Sequence, residues 1–389
     1  MDLIVSTDVL AAFCERAAQY EFVTVDTEFL RETTYWPRLC LIQVATDDEA
    51  VLIDPLAPDI RLAPFFALLA NPGVTKVFHA ARQDIEIFVK LTGAVPNNIF
   101  DTQVAASVCG FGDSASYDSL VRSICKIELD KSSRFTDWSA RPLSEKQLSY
   151  ALADVTWLRD IYRELRRQVE AARRWDWVED EMTALRSIDT YVVKPEQAWE
   201  RLKMKFNRPR DIAALKVLAQ WRERRAQETD QPRSRILKDD VLAELATQRP
   251  LTADAFEKLR AVPRGFGRSG AAGEIIALLK DVEALPKAAL PPMPERYRGP
   301  SPKGAVGDLI RVLLKAVAEQ HGVAARIIAT SDEIDALVLD DEADVPALRG
   351  WRRKLFGEKA LAIKHGRVGL VATRKGIVEI AVDRAAAAE

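Results

Sequence analysis

Asp26 and Glu28 stand two residues apart at the end of the run Phe22-Val23-Thr24-Val25. The run alternates as a buried strand does, and a strand has a period of two, so both carboxylates leave one face of the sheet. Two acids side by side repel each other and lose hydration; a bound cation relieves this, and a strand end reaching solvent avoids it. The octapeptide Phe22 to Phe29 leaves both open. Asp84 follows Val77-Phe78-His79 near a helix start, at the carboxyl end of a strand, where open α/β sheets place their sites. The same position also suits an acid that only compensates the helix dipole. Tyr150 and Asp154 lie four apart on a long helix and share a face beside Ala151, Leu152, Val155 and Leu158. An acid there is either ligating or paired, with Arg159 for example. Together Asp26, Glu28, Asp84 and Asp154 are hard oxygen donors suited to magnesium or manganese. Four carboxylates can hold two ions about 3.5–4 Å apart, one activating water and one stabilising a departing oxyanion in phosphodiester hydrolysis. The Tyr150 hydroxyl, one turn from Asp154, is placed to orient that water.

The elements that must carry these groups follow from the pattern. Residues 1–20 read as a helix capped at Ser6 or Thr7, and the acid-bearing strand comes next. Arg38 to Ala45 and Ala50 to Asp54 read as two further strands around an Asp-Asp turn, giving an antiparallel meander. Helix and strand then alternate: Leu62 to Leu69, Lys76 to Ala80, Gln83 to Leu91, and a short strand from Ile99. This predicts an α/β domain with a mixed sheet. Ser144 with Gln147 resembles a capping box and opens a long helix to about Arg174.

Beyond it lies a tryptophan-rich connector with Trp175, Trp177 and Trp199. From Arg201 to Lys238 twelve basic residues face four acids. Short helices are expected from there to about Lys287, with Arg264-Gly265-Phe266-Gly267-Arg268 as a flexible basic loop. Six prolines between 286 and 302 mark a linker, and 304–385 reads as mostly helical. Arg235-Ile236-Leu237 is echoed by Arg326-Ile327-Ile328, a faint internal repeat of two small helical domains.

At 389 residues, with 48% hydrophobic and 29% charged, the chain fits two or three globular domains. Its net charge of −2 gives no global sign of a polyanionic partner. Four scattered cysteines without CxxC spacing read as reduced thiols, and three histidines argue against a histidine-rich metal centre. There is neither a signal-peptide pattern nor an apolar run of membrane-spanning length, so a cytoplasmic protein, acting as a monomer, is expected.

The acids sit within longer motifs. Asp26-Thr27-Glu28-Phe29 with Pro37-Arg38-Leu39-Cys40-Leu41-Ile42-Gln43, then His79 to Asp84 with Ile85-Glu86, then Asp137 to Ser144 leading to Tyr150 and Asp154 occur in order. This set resembles the ribonuclease D family, DEDD-type 3′-5′ exonucleases of the tyrosine subtype. The resemblance implies a DnaQ-like (ribonuclease H-like) exonuclease domain over 1–175 and a helical connector over 176–205. A helicase-and-ribonuclease-D C-terminal (HRDC) domain over 206–287, a linker over 288–303 and a second, diverged copy over 304–385 would follow. It further implies that Asp26, Glu28, Asp84 and Asp154 bind two divalent ions, with Tyr150 positioning water, in 3′ trimming of structured RNAs such as transfer RNA precursors. A repair-type DNA exonuclease and a catalytically silent nucleic-acid scaffold are the alternatives; the latter lacks its signature, since no acid is lost. Softer substrate-contact candidates are Thr27, Phe29 for base stacking, Gln43, His79, Arg141 for phosphate, and Lys205 and Arg208 in the basic run.

Overall fold

The computed structural model describes residues 3–130, 132–133, 136–202, 204, 206–293, 303–374 and 376–382. The alternating stretch forms β2 (Phe22–Leu30), an interior strand of a six-stranded mixed sheet. Antiparallel β3 (Arg38–Ala45) lies on one side of it, followed outward by β4 (Ala50–Ile53) and β1 (Leu3–Ile4). Parallel β5 (Thr75–Phe78) and β6 (Ile99–Asp101) lie on the other. The meander and the mixed sheet are as expected. β1 is not: two residues paired to β4 are too few for any periodicity, and the N-terminal helix shrinks to α1 (Thr7–Ala17).

Helices α2 (Ala63–Ala70), α3 (Arg82–Thr92), α4 (Thr102–Val108) and α5 (Tyr117–Leu120) connect and cover the strands. The long helix α6 (Glu145–Ala172) starts on a true capping box: the Ser144 hydroxyl accepts the Gln147 N–H, and the Gln147 side chain accepts the Ser144 N–H. It crosses the sheet against β2, and the Thr24 hydroxyl donates to the Val155 carbonyl at 2.8 Å. That bond fixes the register of helix on strand two residues before Asp26 and one after Asp154.

The remaining chain builds two helical units of one plan. α7 (Trp175–Arg186) leads into α8 (Pro209–Thr229), α9 (Arg233–Ile236), α10 (Asp239–Gln248), α11 (Ala253–Phe256) and α12 (Gly270–Ala284). The second unit has α13 (Ala305–His321), α14 (Ala325–Ile328), α15 (Ser331–Leu339), α16 (Gly350–Arg352) and α17 (Glu358–Lys364). Each long first helix is followed by a four-residue helix stopped by an extended residue, Leu237 or Ala329. In each a glycine presses on a carbonyl: a Cβ on Gly267 would fall 2.4 Å from the Ala253 oxygen, and one on Gly357 2.4 Å from that of Ala347. The repeat is therefore one of packing as well as sequence. The loop around Gly267 is consequently not flexible; Phe266–Arg268 is a tight 3₁₀ turn with Phe266 against Phe256. A C-terminal hairpin, β7 (Val368–Thr373) and β8 (Gly376–Ala381), replaces the expected helix, in line with its alternating β-branched residues.

The two units dock differently. The last shares a continuous apolar core with the sheet domain, running from Leu165, Val169 and Met182 to Leu313, Val317 and Phe356, and Trp177 stacks on Trp351 at 4.0 Å. The middle unit keeps its own core. It meets the loop after β2 through polar contacts: the Tyr35 hydroxyl donates to Glu223 and accepts from Arg233 and Gln227, while Asp230 accepts the N–H groups of Tyr35 and Trp36.

Candidate active site

A cleft of about 330 Å³ is lined by Asp26, His79, Gln103, Tyr117, Tyr150 and Asp154, among others, while Glu28 and Asp84 are not in its lining. β2 delivers Asp26 and Glu28. Its pairing with β3 runs in register through Glu28 opposite Leu41 and then shifts at Phe29, so a bulge follows the second acid and re-aims the strand. α3 delivers Asp84 from its first turn, where it is 6% exposed. α6 delivers Tyr150 and Asp154 one turn apart.

The electrostatics are those of crowded like charges. Burial, then the neighbouring Asp154, push the Asp26 carboxyl well above the usual carboxylate range. Burial, then Asp26, do the same to Asp84, against the opposing help of the Thr27 hydroxyl, which donates to Asp84. Burial, Asp154 and Asp26 together raise the Tyr117 phenol, whose hydroxyl donates to the Ala153 carbonyl at 2.7 Å. Arg159 does not serve Asp154; its guanidinium donates to the carbonyls of Thr46 and Asp47. Among the described residues no three His, Cys, Asp or Glu side chains are drawn together tightly enough to hold an ion as they stand. The donor set itself, carboxylate oxygens on three separate elements, fits a hard divalent ion.

The softer candidates sort clearly. Thr27 is buried and serves Asp84. Phe29 is half-buried against the sheet core. His79 stands in the cleft with Nδ1 3.0 Å from the Thr102 hydroxyl, and burial lowers its pKa, favouring the neutral ring. Gln43 is fully buried opposite Asp26, and neither amide atom has a hydrogen-bond partner among the described residues. Arg141 is a correction. All five donors of its guanidinium are engaged, with both Asp54 oxygens and the carbonyls of Cys40, Trp138 and Ala140, so it ties the 137–144 segment to the sheet and has no donor left for phosphate. Lys205 lies outside the described residues; Arg208 is exposed just before α8.

The basic run is also revised. Arg210, Arg222, Arg224, Arg225 and Arg233 are paired with Glu283, Asp239, Glu196, Glu274 and Glu223. Arg201, Arg208, Arg235 and Lys238 carry no ion pair among the described residues. Arg201 and Lys238 line one cavity of about 510 Å³. Residues that sequence reasoning missed are Thr24, Tyr117 and Asp101. The last accepts the N–H groups of Ala80, Ala81, Gln103 and Val104, which holds the turn before Asp84. Its place before α4 is a recognisable N-cap signal; Tyr117 and Thr24 carry none.

The 3′-5′ exonuclease domain family matches residues 2–170, and the HRDC domain family matches residues 211–272. Ribonuclease D of Nitrobacter hamburgensis is 49% identical over 98% of this chain and 99% of its own. That of Bartonella henselae is 45% identical over 95% and 91%. The chain belongs to the ribonuclease D family. The crystal structure of Escherichia coli RNase D, described as an exoribonuclease involved in structured RNA processing, superposes with a TM-score of 0.82 at 30% identity. It covers 94% of this chain and 98% of that one. A family member with the exonuclease domain in place is a 3′-5′ exoribonuclease, which decides against the DNA enzyme and the silent scaffold.

Proposed function

We propose that this exoribonuclease trims 3′ extensions of structured RNA, transfer RNA precursors among them, with Asp26, Glu28, Asp84 and Asp154 holding two divalent ions, Mg²⁺ or Mn²⁺. One observation carries the reading: Asp26 lies between Asp154 and Asp84, carboxylates from three elements, and the crowding with burial holds Asp26 and Asp84 toward their protonated forms, which a cation would reverse. Bound there, the ions supply the Lewis acidity for phosphodiester hydrolysis. Tyr150 orients the attacking water from the helix turn before Asp154, and the Thr27 hydroxyl fixes one Asp84 oxygen. Water oxygen bonds to the terminal phosphorus, the bond to the 3′ oxygen breaks, and that oxygen takes a proton. A nucleoside 5′-monophosphate leaves, and the RNA has a new 3′ hydroxyl. Phe29 offers a stacking face to the terminal base.

In this reading 1–175 cuts, while Arg201, Arg208, Arg235 and Lys238 of the middle unit grip the RNA body through its phosphates. We take the enzyme to act as a cytoplasmic monomer; separately, no helix among the described residues is long and apolar enough to cross a membrane. The test is Asp26→Asn and Asp154→Asn: folding and RNA binding persist, and hydrolysis falls at least about a thousandfold, in the range typical of removing a group central to transition-state charge. Wild-type trimming by Asp26→Asn would overturn the proposal.

A further inference from the structure

Gln43 is 0% exposed, and both Oε1 and Nε2 lack a partner among the described residues. Buried amides are nearly always satisfied, and one left orphaned needs an explanation. Its position supplies one. Gln43 on β3 is the direct register partner of Asp26 on antiparallel β2. Directly opposed residues share a face, with Cβ atoms about 4.5–5.5 Å apart. Its other strand neighbours on that face, Leu41 and Ala45 along β3 and Leu52 across on β4, are apolar and buried, and Trp138 and, on α6, Ala151 share a cluster with Leu41 and Leu52. On the β2 side, Thr24 already donates its hydroxyl to Val155. The orphan donor therefore lies beside the Asp26 carboxyl.

We infer that Gln43 is a positioning residue for Asp26: its Nε2–H donates to the Asp26 carboxylate in the ion-loaded cleft. An amide N–H on a carboxylate makes a charge-assisted bond, stronger than one between neutral groups. It also fixes which carboxylate oxygen faces the ion, as outer partners of metal ligands do. The inference rests on the metal-binding reading of the cleft.

The test measures Mn²⁺ binding to the full chain by calorimetry, beside thermal unfolding in chelator, for wild type, Gln43→Met and, should Met misfold, Gln43→Leu. Mn²⁺ affinity falls about tenfold or more, the range for lost outer-shell partners. The midpoint in chelator is held or raised, because an unsatisfied amide has been removed. Unchanged Mn²⁺ affinity, with or without a lower midpoint, overturns the inference and leaves Gln43 a core residue. The two failures are separable: if wild type and Asp154→Asn bind Mn²⁺ alike, the metal-binding reading of the cleft itself falls, and this inference with it.

Discussion

The cleft and the middle helical unit both concentrate charge, and the fold treats the two in opposite ways. In the cleft Asp26, Asp84 and Asp154 crowd one another, and burial raises the first two toward neutrality. In the middle unit nearly every arginine on α8 has a carboxylate. Glu223 is the clearest case: burial pushes it up, yet the Arg233 fork and the Tyr35 hydroxyl outweigh that and hold it below the usual range. Where opposite charges are matched they build structure; where like charges are brought together in a cleft, they suit a cation. The same rule separates the basic residues, since those already paired hold the unit together and those without an ion pair among the described residues are the ones we propose for phosphate.

If the contrast is right, neutralising one charge has opposite signs in the two places. Glu223→Gln leaves Arg233 without its counter-charge and costs about 2–3 kcal/mol, read as a lower denaturant midpoint. Asp26→Asn removes a buried repulsion and raises the midpoint of the metal-free protein. Equal signs in chelator would break the comparison.

The pH dependences should oppose each other too. A folded-state pKa raised above the unfolded value means the folded state binds more protons. Without metal, the stability of the cleft elements therefore falls as pH rises from about 4 toward the raised values of Asp26 and Asp84. A depressed pKa works in reverse: the contribution of Glu223 is present above about pH 4.3 and is lost as pH falls through its lower folded value. Hydrogen exchange along a pH series, read separately at β2 and α8, checks both. Ion binding must also release protons, so apparent Mn²⁺ affinity rises with pH across the cleft window. The smallest effect is at the seam. Tyr35→Phe removes one hydroxyl from the Glu223–Arg233 hub and costs about 1 kcal/mol, seen as faster exchange in α8 with the sheet core unchanged.

Much of this was legible in the sequence because it depends on local periodicity. The period-two face of β2 places Asp26 with Glu28, and the four-residue step on α6 places Tyr150 with Asp154. Gly267 and Gly357 then extended a faint sequence repeat into three dimensions. What escaped depends on partners distant in sequence. Arg141 read as a free loop arginine until Asp54, 87 residues away, took its fork. The basic run looked like an open face because its partners Glu196, Glu274 and Glu283 lie outside it. β1 is defined only by its pairing with β4.

The central claim is that the mismatched acids form a metal-dependent, 3′-directed cutting site. A 3′-extended transfer RNA precursor labelled at its 5′ end, incubated with the protein in chelator, Mg²⁺ or Mn²⁺, tests it most directly. The account predicts a ladder that shortens from the 3′ end with metal and an intact substrate in chelator. Equal shortening in chelator, or internal cuts in place of a ladder, would contradict it.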